Sequence, residues 1–183
     1  MATFFTIGHS TRSAAELIQI LQGSEIGVLV DVRAIPRSRT NPQLNRDTLP
    51  DTLREHGIEY LHIPELGGRR GRTVAASPNT FWQNQSFRNF ADYAMTDSFR
   101  AGFTRLQQLG AARRCAIMCS ELLWWRCHRR IIADYLMLAG HTVIHILDRS
   151  KQDEAWPTPA ARRVNDEKIV YTGSDTRSGD LFT

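Results

Sequence analysis

Short apolar runs, each followed by a stretch of helical periodicity, constrain this chain more than any other feature. "VLVDVR" (28–33), "CAIMCS" (115–120) and "HTVIHIL" (141–147) are continuous enough to read as strands buried on both faces. "ATFFTIGHS" opens with a similar β-rich run that stops at Gly8, and "IEYLHI" (58–63) supplies a fifth. Between them lie amphipathic segments. In "TRSAAELIQILQGSEIG", Ser13 and Glu16 have the spacing of a capping box, and Ala14, Leu17, Ile18 and Leu21 share one face. "RDTLPDTLREHG" is a second helix, with Pro50 confined to its first turn and Gly57 at its end. Residues 86–110 predict two helices broken near Asp97–Ser98, the second lined by Phe99, Phe103 and Leu106. "HRRIIADYLMLAG" is a last helix ending at Gly140.

The order β-α-β-α-β-α-α-β-α-β predicts an α/β fold, a Rossmann-like three-layer sandwich. Its mostly parallel sheet has about five strands with helices on both faces. Residues 1–149 form this domain. Residues 150–183 are a polar C-terminal extension that packs on it, with one edge strand at 168–172. At 183 residues the chain suits a single core. No run approaches the ~18 apolar residues of a membrane span, and no signal peptide is visible, so the expectation is a cytoplasmic protein with no membrane partner. Three cysteines do not suggest a disulfide framework.

In a parallel α/β sheet, ligands bind beyond the carboxyl ends of the strands. That rule gathers His9, Ser10 and Arg12 after the first strand. Asp31, Arg33, Arg37, Ser38 and Arg39 follow the second, and Gly67, Gly68 and Arg69 of "LGGRRGR" follow the third. Cys119, Glu121, Cys127, His128 and Arg129 follow the fourth. The net charge is +4, with 21 Arg against two Lys. Arginine holds phosphate and carboxylate bidentately, so the expected ligand is a small anionic or nucleotide-like molecule, with nucleic acid as an alternative partner. The glycine-rich "LGGRRGR" matches neither a Walker loop nor a dinucleotide fingerprint.

The densest cluster, "CSELLWWRCHRR", admits several chemistries. A cysteine at a strand end beside arginine is a competent nucleophile. Seven positions separate Cys119 from Arg126, so this is not the C-x5-R loop of cysteine phosphatases. Two Cys and one His could ligate zinc, but Cys127 and His128 are adjacent and no C-x2-C or H-x3-H pair exists. No cofactor is therefore expected, and zinc is the weaker reading. Glu121 and His128 could instead transfer protons, with the cysteines as packing residues. Asp31 is either an ion-pair partner of Arg33 or an acid facing the ligand. His9 either caps a turn or serves as acid/base. Trp124 and Trp125 either stack a base or lid the core.

"TIGHSTRS", "LVDVRAIPRSR", "GIEYLHIPELGGRR", "FADYA" and "IMCSELLWWRCHRRIIADYLMLAGHTVIHI" together resemble the bacterial and archaeal family called domain of unknown function 488. The likeness runs from about residue 5 to 147 and returns at "GDLF" near the end. It implies signature positions at Gly8, His9, Ser10, Asp31, Arg33, Pro36, Ser38, Arg39, Pro64, Leu66, Gly67, Gly68, Cys119, Glu121, Cys127, His128, Arg129 and His145. The chain departs from the family in having "LLWW" where relatives carry a charged, proline-containing stretch. The resemblance implies a fold and a site and names no reaction. The expectation is an enzyme, a hydrolase or transferase, acting on a phosphate-bearing, nucleotide- or nucleic-acid-derived substrate. In it Arg33, Arg39 and Arg129 hold the anion and Glu121 and His128 move protons. Cys119 or Cys127 attacks, and Asp31 and His9 orient the substrate. The alternatives are a non-catalytic nucleic-acid-binding or ligand-sensing module, and a zinc protein.

Overall fold

A computed structural model describes residues 1–72 and 74–173. Five parallel strands carry the fold: β1 (Thr3–Gly8), β2 (Val28–Asp31), β3 (Glu59–His62), β4 (Cys115–Cys119) and β5 (Thr142–Ile146). β6 (Gln152–Glu154) adds antiparallel to β5, so the sheet has six strands in the order β3-β2-β4-β1-β5-β6. The sixth strand corrects the expected five. It comes from the polar segment after residue 150, whose alternation over three residues is too short to register as a strand.

Side chains alternate across the sheet, and the two faces bury different sets. Phe5, Ile7, Leu29, Ala116 and Met118 pack with Leu17 and Leu21 of α1 (Ala14–Gly23) and Leu53 of α2 (Leu49–Glu55). Phe4, Val28, Val30, Ile117 and Cys119 pack on the other face. Their partners include Phe90 of α3 (Gln85–Tyr93), Phe99 and Leu106 of α4 (Asp97–Ala112), and Ile132 and Leu136 of α5 (Arg129–Leu138). The chain runs outward through α1 and α2 to β3, then returns through α3 and α4 to β4 and on to β5. Right-handed crossovers running in opposite directions put their helices on opposite faces.

Local signals set the helix ends. Ser13 and Glu16 form the expected capping box on α1. Thr96 caps α4 through its hydroxyl, so the break between α3 and α4 falls at 94–96, just before the predicted place. Gly140 closes α5 with φ 81°.

The C-terminal segment packs on the domain, but residues 168–171 do not edge the main sheet. β7 (Ala161–Asn165) and β8 (Lys168–Tyr171) form their own antiparallel hairpin. Ile169 and Tyr171 are buried in the core of the α3–α5 face, and Tyr171 donates its hydroxyl to Asp134 of α5 at 2.9 Å. The "GDLF" match lies outside the described residues. Among the described residues no helix is long and apolar enough to cross a membrane.

Candidate functional site

β1 and β4 are neighbours, in register from Phe4↔Cys115 to Gly8↔Cys119. The chain leaves β1 toward α1 on one face and leaves β4 toward α5 on the other. Diverging exits from adjacent parallel strands leave a crevice at their carboxyl ends. A cleft of about 700 Å³ lies there. Of the residues singled out in the sequence, His9, Ser10, Arg33, Arg37, Ser38, Gly68, Arg69, Cys119, Glu121, Cys127 and His128 line it.

The floor is rigid. His9 N–H donates to Cys119 O at 2.9 Å and Ser10 N–H to Ser120 O at 3.0 Å, lacing the exits of β1 and β4 together. Ser10 holds φ 49°, a left-handed conformation that costs a non-glycine residue strain and marks a constrained turn. A Cβ on Gly8 would collide with the Glu121 backbone, and one on Gly68 with the His128 ring. Both glycines therefore permit close approaches on which the cleft depends.

Asp31 is fully buried below the cleft. Its carboxylate accepts Arg33 Nε at 2.9 and 3.0 Å, Arg33 Nη2 at 2.5 Å and the Tyr60 hydroxyl at 2.6 Å. Arg33 also donates to Leu44 O at 2.8 Å, and its Nη1 lies 3.1 Å from His9 Nε2. His9 Nδ1 lies 2.8 Å from Ser10 O, which can only accept, so Nδ1 carries the proton and Nε2 accepts from Arg33. Burial, helped by the Arg33 charge, lowers the His9 pKa to about 4 and keeps the ring neutral. Asp31 takes its ion-pair reading and lies below the cleft, while His9 lines the cleft with its ring held between Ser10 and Arg33. Tyr60, absent from the sequence-based set, belongs to the group around Asp31. It lies on the adjacent strand β3, where neither spacing nor motif signals the contact.

Three arginines also differ from expectation. Arg129 is buried, and its guanidinium goes to Glu121 O and to Cys127 Sγ, the latter at 3.2 Å from Nε. It tunes a sulfur and tethers a loop; it does not line the cleft. Arg12 ties Gly8 O to Leu147 O, bridging the ends of β1 and β5. Arg39 is exposed and outside the cleft lining, and Gly67 packs against Ala34. Arg37 lines the cleft while paired with Asp47 at 2.6 Å. Arg69 and Arg126 are exposed on the lining, and their guanidinium groups have no hydrogen-bond or ion-pair partner among the described residues. Arg126 was noted in the sequence but not chosen as a ligand. Phe87, from the first turn of α3, also lines the cleft and was missed because it reads as a core residue of an amphipathic helix.

The reactive centre is compact. Cys119 Sγ, Cys127 Sγ and a ring nitrogen of His128 all lie within 4.8 Å of one another. His128 Nε2 lies 3.1 Å from both Val32 O and Leu66 O, so it carries a proton and donates to these carbonyls. The other nitrogen, Nδ1, faces Cys127 Sγ at 3.6 Å. Burial opposes ionisation of Cys127. The neighbouring Cys119 thiol and the charge and N–H of Arg129 outweigh it, and the pKa falls to about 6. The proximity of Cys127, with burial, raises Cys119 to about 12. The two sulfurs therefore titrate as a pair, and the pair holds one proton over the intervening pH range. Cys115, inside β4, is pushed up to about 12 by burial alone.

Behind Arg129, His145 Nδ1 lies 2.7 Å from the Thr6 hydroxyl, and Trp124 stacks on the His145 ring at 4.2 Å and 9°. Trp124 thus covers a buried histidine, while Trp125 is exposed.

No curated protein and no solved structure matches the chain. A family model described as domain of unknown function DUF488 matches residues 13–136, a stretch that carries α1 through most of α5 and contains the lower wall and the reactive centre of the cleft. The chain therefore belongs to the DUF488 family.

Proposed function

We propose that this chain is an enzyme of the hydrolase or transferase class, built on a Rossmann-like three-layer fold, that acts on a phosphate-bearing, nucleotide-like substrate. The observation that carries the reading is one sulfur, Cys127, that accepts an arginine N–H in a cleft whose exposed cations Arg69 and Arg126 have no side-chain partner among the described residues. The two arginines bind the phosphate as a handle, and the Phe87 ring offers its edge or face to a base. Cys127 attacks the electrophilic atom. Glu121 is the sole carboxylate on the cleft lining among the described residues and moves the proton to the leaving group. His128, with Nδ1 toward the sulfur, accepts the thiol proton when the thiolate forms.

Calorimetric titration with adenosine monophosphate tests the handle. Arg69→Gln and Arg126→Gln should each weaken binding about tenfold or more, the loss of a charge-assisted hydrogen bond of roughly 1.5–3 kcal/mol. Unchanged affinity in both variants would refute the site.

A second reading is favoured by one observation, the convergence of two sulfurs and a nitrogen within 4.8 Å. With Nε2–H held by carbonyls, His128 offers Nδ1 as a zinc ligand in the manner of metal-bound histidines. Metal analysis of protein purified without chelators decides between the two. Stoichiometric zinc, lost in Cys119→Ala, would replace the free thiolate with a zinc centre.

A further inference from the structure

Cys119 has no part in the reaction proposed above, yet it lines the same cleft and holds its sulfur within 4.8 Å of Cys127. It projects from the last residue of β4, and Cys127 lies two residues before α5. Their sulfurs approach within 4.8 Å, and a disulfide requires a further approach to ~2.05 Å. Cys115 is four residues earlier, at the start of β4, fully buried within the sheet. The cleft thus contains two sulfurs close to each other, and only one of them, Cys127, accepts an arginine N–H, from Arg129 Nε at 3.2 Å.

We propose that Cys127 and Cys119 form a redox centre that reduces hydroperoxides, with Cys127 as the attacking sulfur and Cys119 as the resolving one. The Cys127 thiolate attacks the terminal oxygen of ROOH. An S–O bond forms and the O–O bond breaks. RO⁻ departs and takes a proton from solvent, leaving Cys127 as the sulfenic acid. The sulfur of Cys119 then attacks the Cys127 sulfur. The S–S bond forms, the S–O bond breaks, and the hydroxyl leaves as water with the Cys119 proton. Two electrons have passed from the sulfurs to the peroxide, and an external dithiol returns them by thiol–disulfide exchange.

The surroundings suit both halves. Arg129 Nε–H, 3.2 Å from Cys127 Sγ, stabilises the attacking thiolate. Arg126 at the cleft wall offers a cation to the departing alkoxide. The peroxide chemistry shares Cys127 with the proposed transfer reaction but needs neither a phosphate handle nor Glu121.

Trypsin separates the two sulfurs, because cleavage after Arg114, Arg126 and Arg129 puts Cys119 in peptide 115–126 and Cys127 in peptide 127–129. Hydrogen peroxide should join these two peptides in the wild type and in Cys115→Ala. Free thiols in the wild type should fall from three to one, and dithiothreitol should restore them. In Cys119→Ser, no linked peptide should form, and dimedone should label the Cys127 peptide. The proposal is overturned if all three thiols survive peroxide, or if Cys127 runs to the sulfinic acid while Cys119 stays free. A link that disappears in Cys115→Ala overturns it as well. Titration of the reduced wild type with adenosine monophosphate reads the phosphate handle separately, so either idea can fail without the other.

Discussion

Asp31→Asn should lower the stability of the folded chain by about 3–5 kcal/mol, because it leaves the Arg33 guanidinium buried without its counter-charge. That corresponds to a drop in melting temperature of roughly 10 °C for a domain of this size. The side chains of Asp31 and Arg33 are 0% and 5% exposed, so solvent screens the pair little. The carboxylate also accepts from Tyr60 at 2.6 Å and from the Arg33 backbone N–H at 2.9 Å. Tyr60→Phe removes only one of these bonds and should cost about 1.5–3 kcal/mol. The ordering of the two variants is the informative result, read by thermal or urea unfolding. A loss below about 1 kcal/mol for Asp31→Asn would mean that the pair behaves as a surface ion pair. Loss of the pair should also release His9, whose Nε2 depends on Arg33 for its donor.

A single thiolate should appear as pH rises through about 6, seen in the far-ultraviolet absorbance of the folded, metal-free protein. The sign follows from the lowered pKa: the sulfur is a thiol below that point and a thiolate above it. Alkylation by iodoacetamide should rise over the same interval, level off above it, and fall on the peptide containing Cys127. Cys115 and Cys119, both raised to about 12, should not contribute at neutral pH. Cys127→Ser should abolish the transition. Cys119→Ala removes the neighbouring thiol and should move it upward, as should Arg129→Met, which removes the N–H and the positive charge. A transition that stays in place in both variants would show that another group ionises.

The two results bear on one design. The buried carboxylate and arginine hold the end of β2, and the Val32 carbonyl that follows is one of the two acceptors that orient His128. Rigidity below the cleft therefore fixes which nitrogen meets the sulfur above it.

The apolar runs and the helical segments between them determined the α/β alternation, the parallel core of the sheet and the edge at which polar residues gather. Periodicity reports burial, and burial on both faces of central strands such as β2 and β4 leaves few arrangements. The capping box on α1 and the glycine that ends α5 were equally legible, because a cap is made by residues a turn apart. The polar segment beyond residue 150 was not. Its sixth strand and its hairpin depend on what the core leaves exposed, and their own alternation is short.

Within the cleft, position was legible and orientation was not. Spacing put Arg33, Arg129, Asp31 and His9 at strand ends, but which way each side chain turns was decided by partners far along the chain. Arg33, at the buried edge of the cleft, and Arg129, behind it, turn to a carboxylate, a thiol and backbone carbonyls that would otherwise be buried without partners. Arg69 and Arg126 meet no such acceptor and remain on the cleft wall. Cys127 and Cys119 likewise look equivalent in sequence. Only the packed structure sets an arginine N–H against one sulfur and not the other.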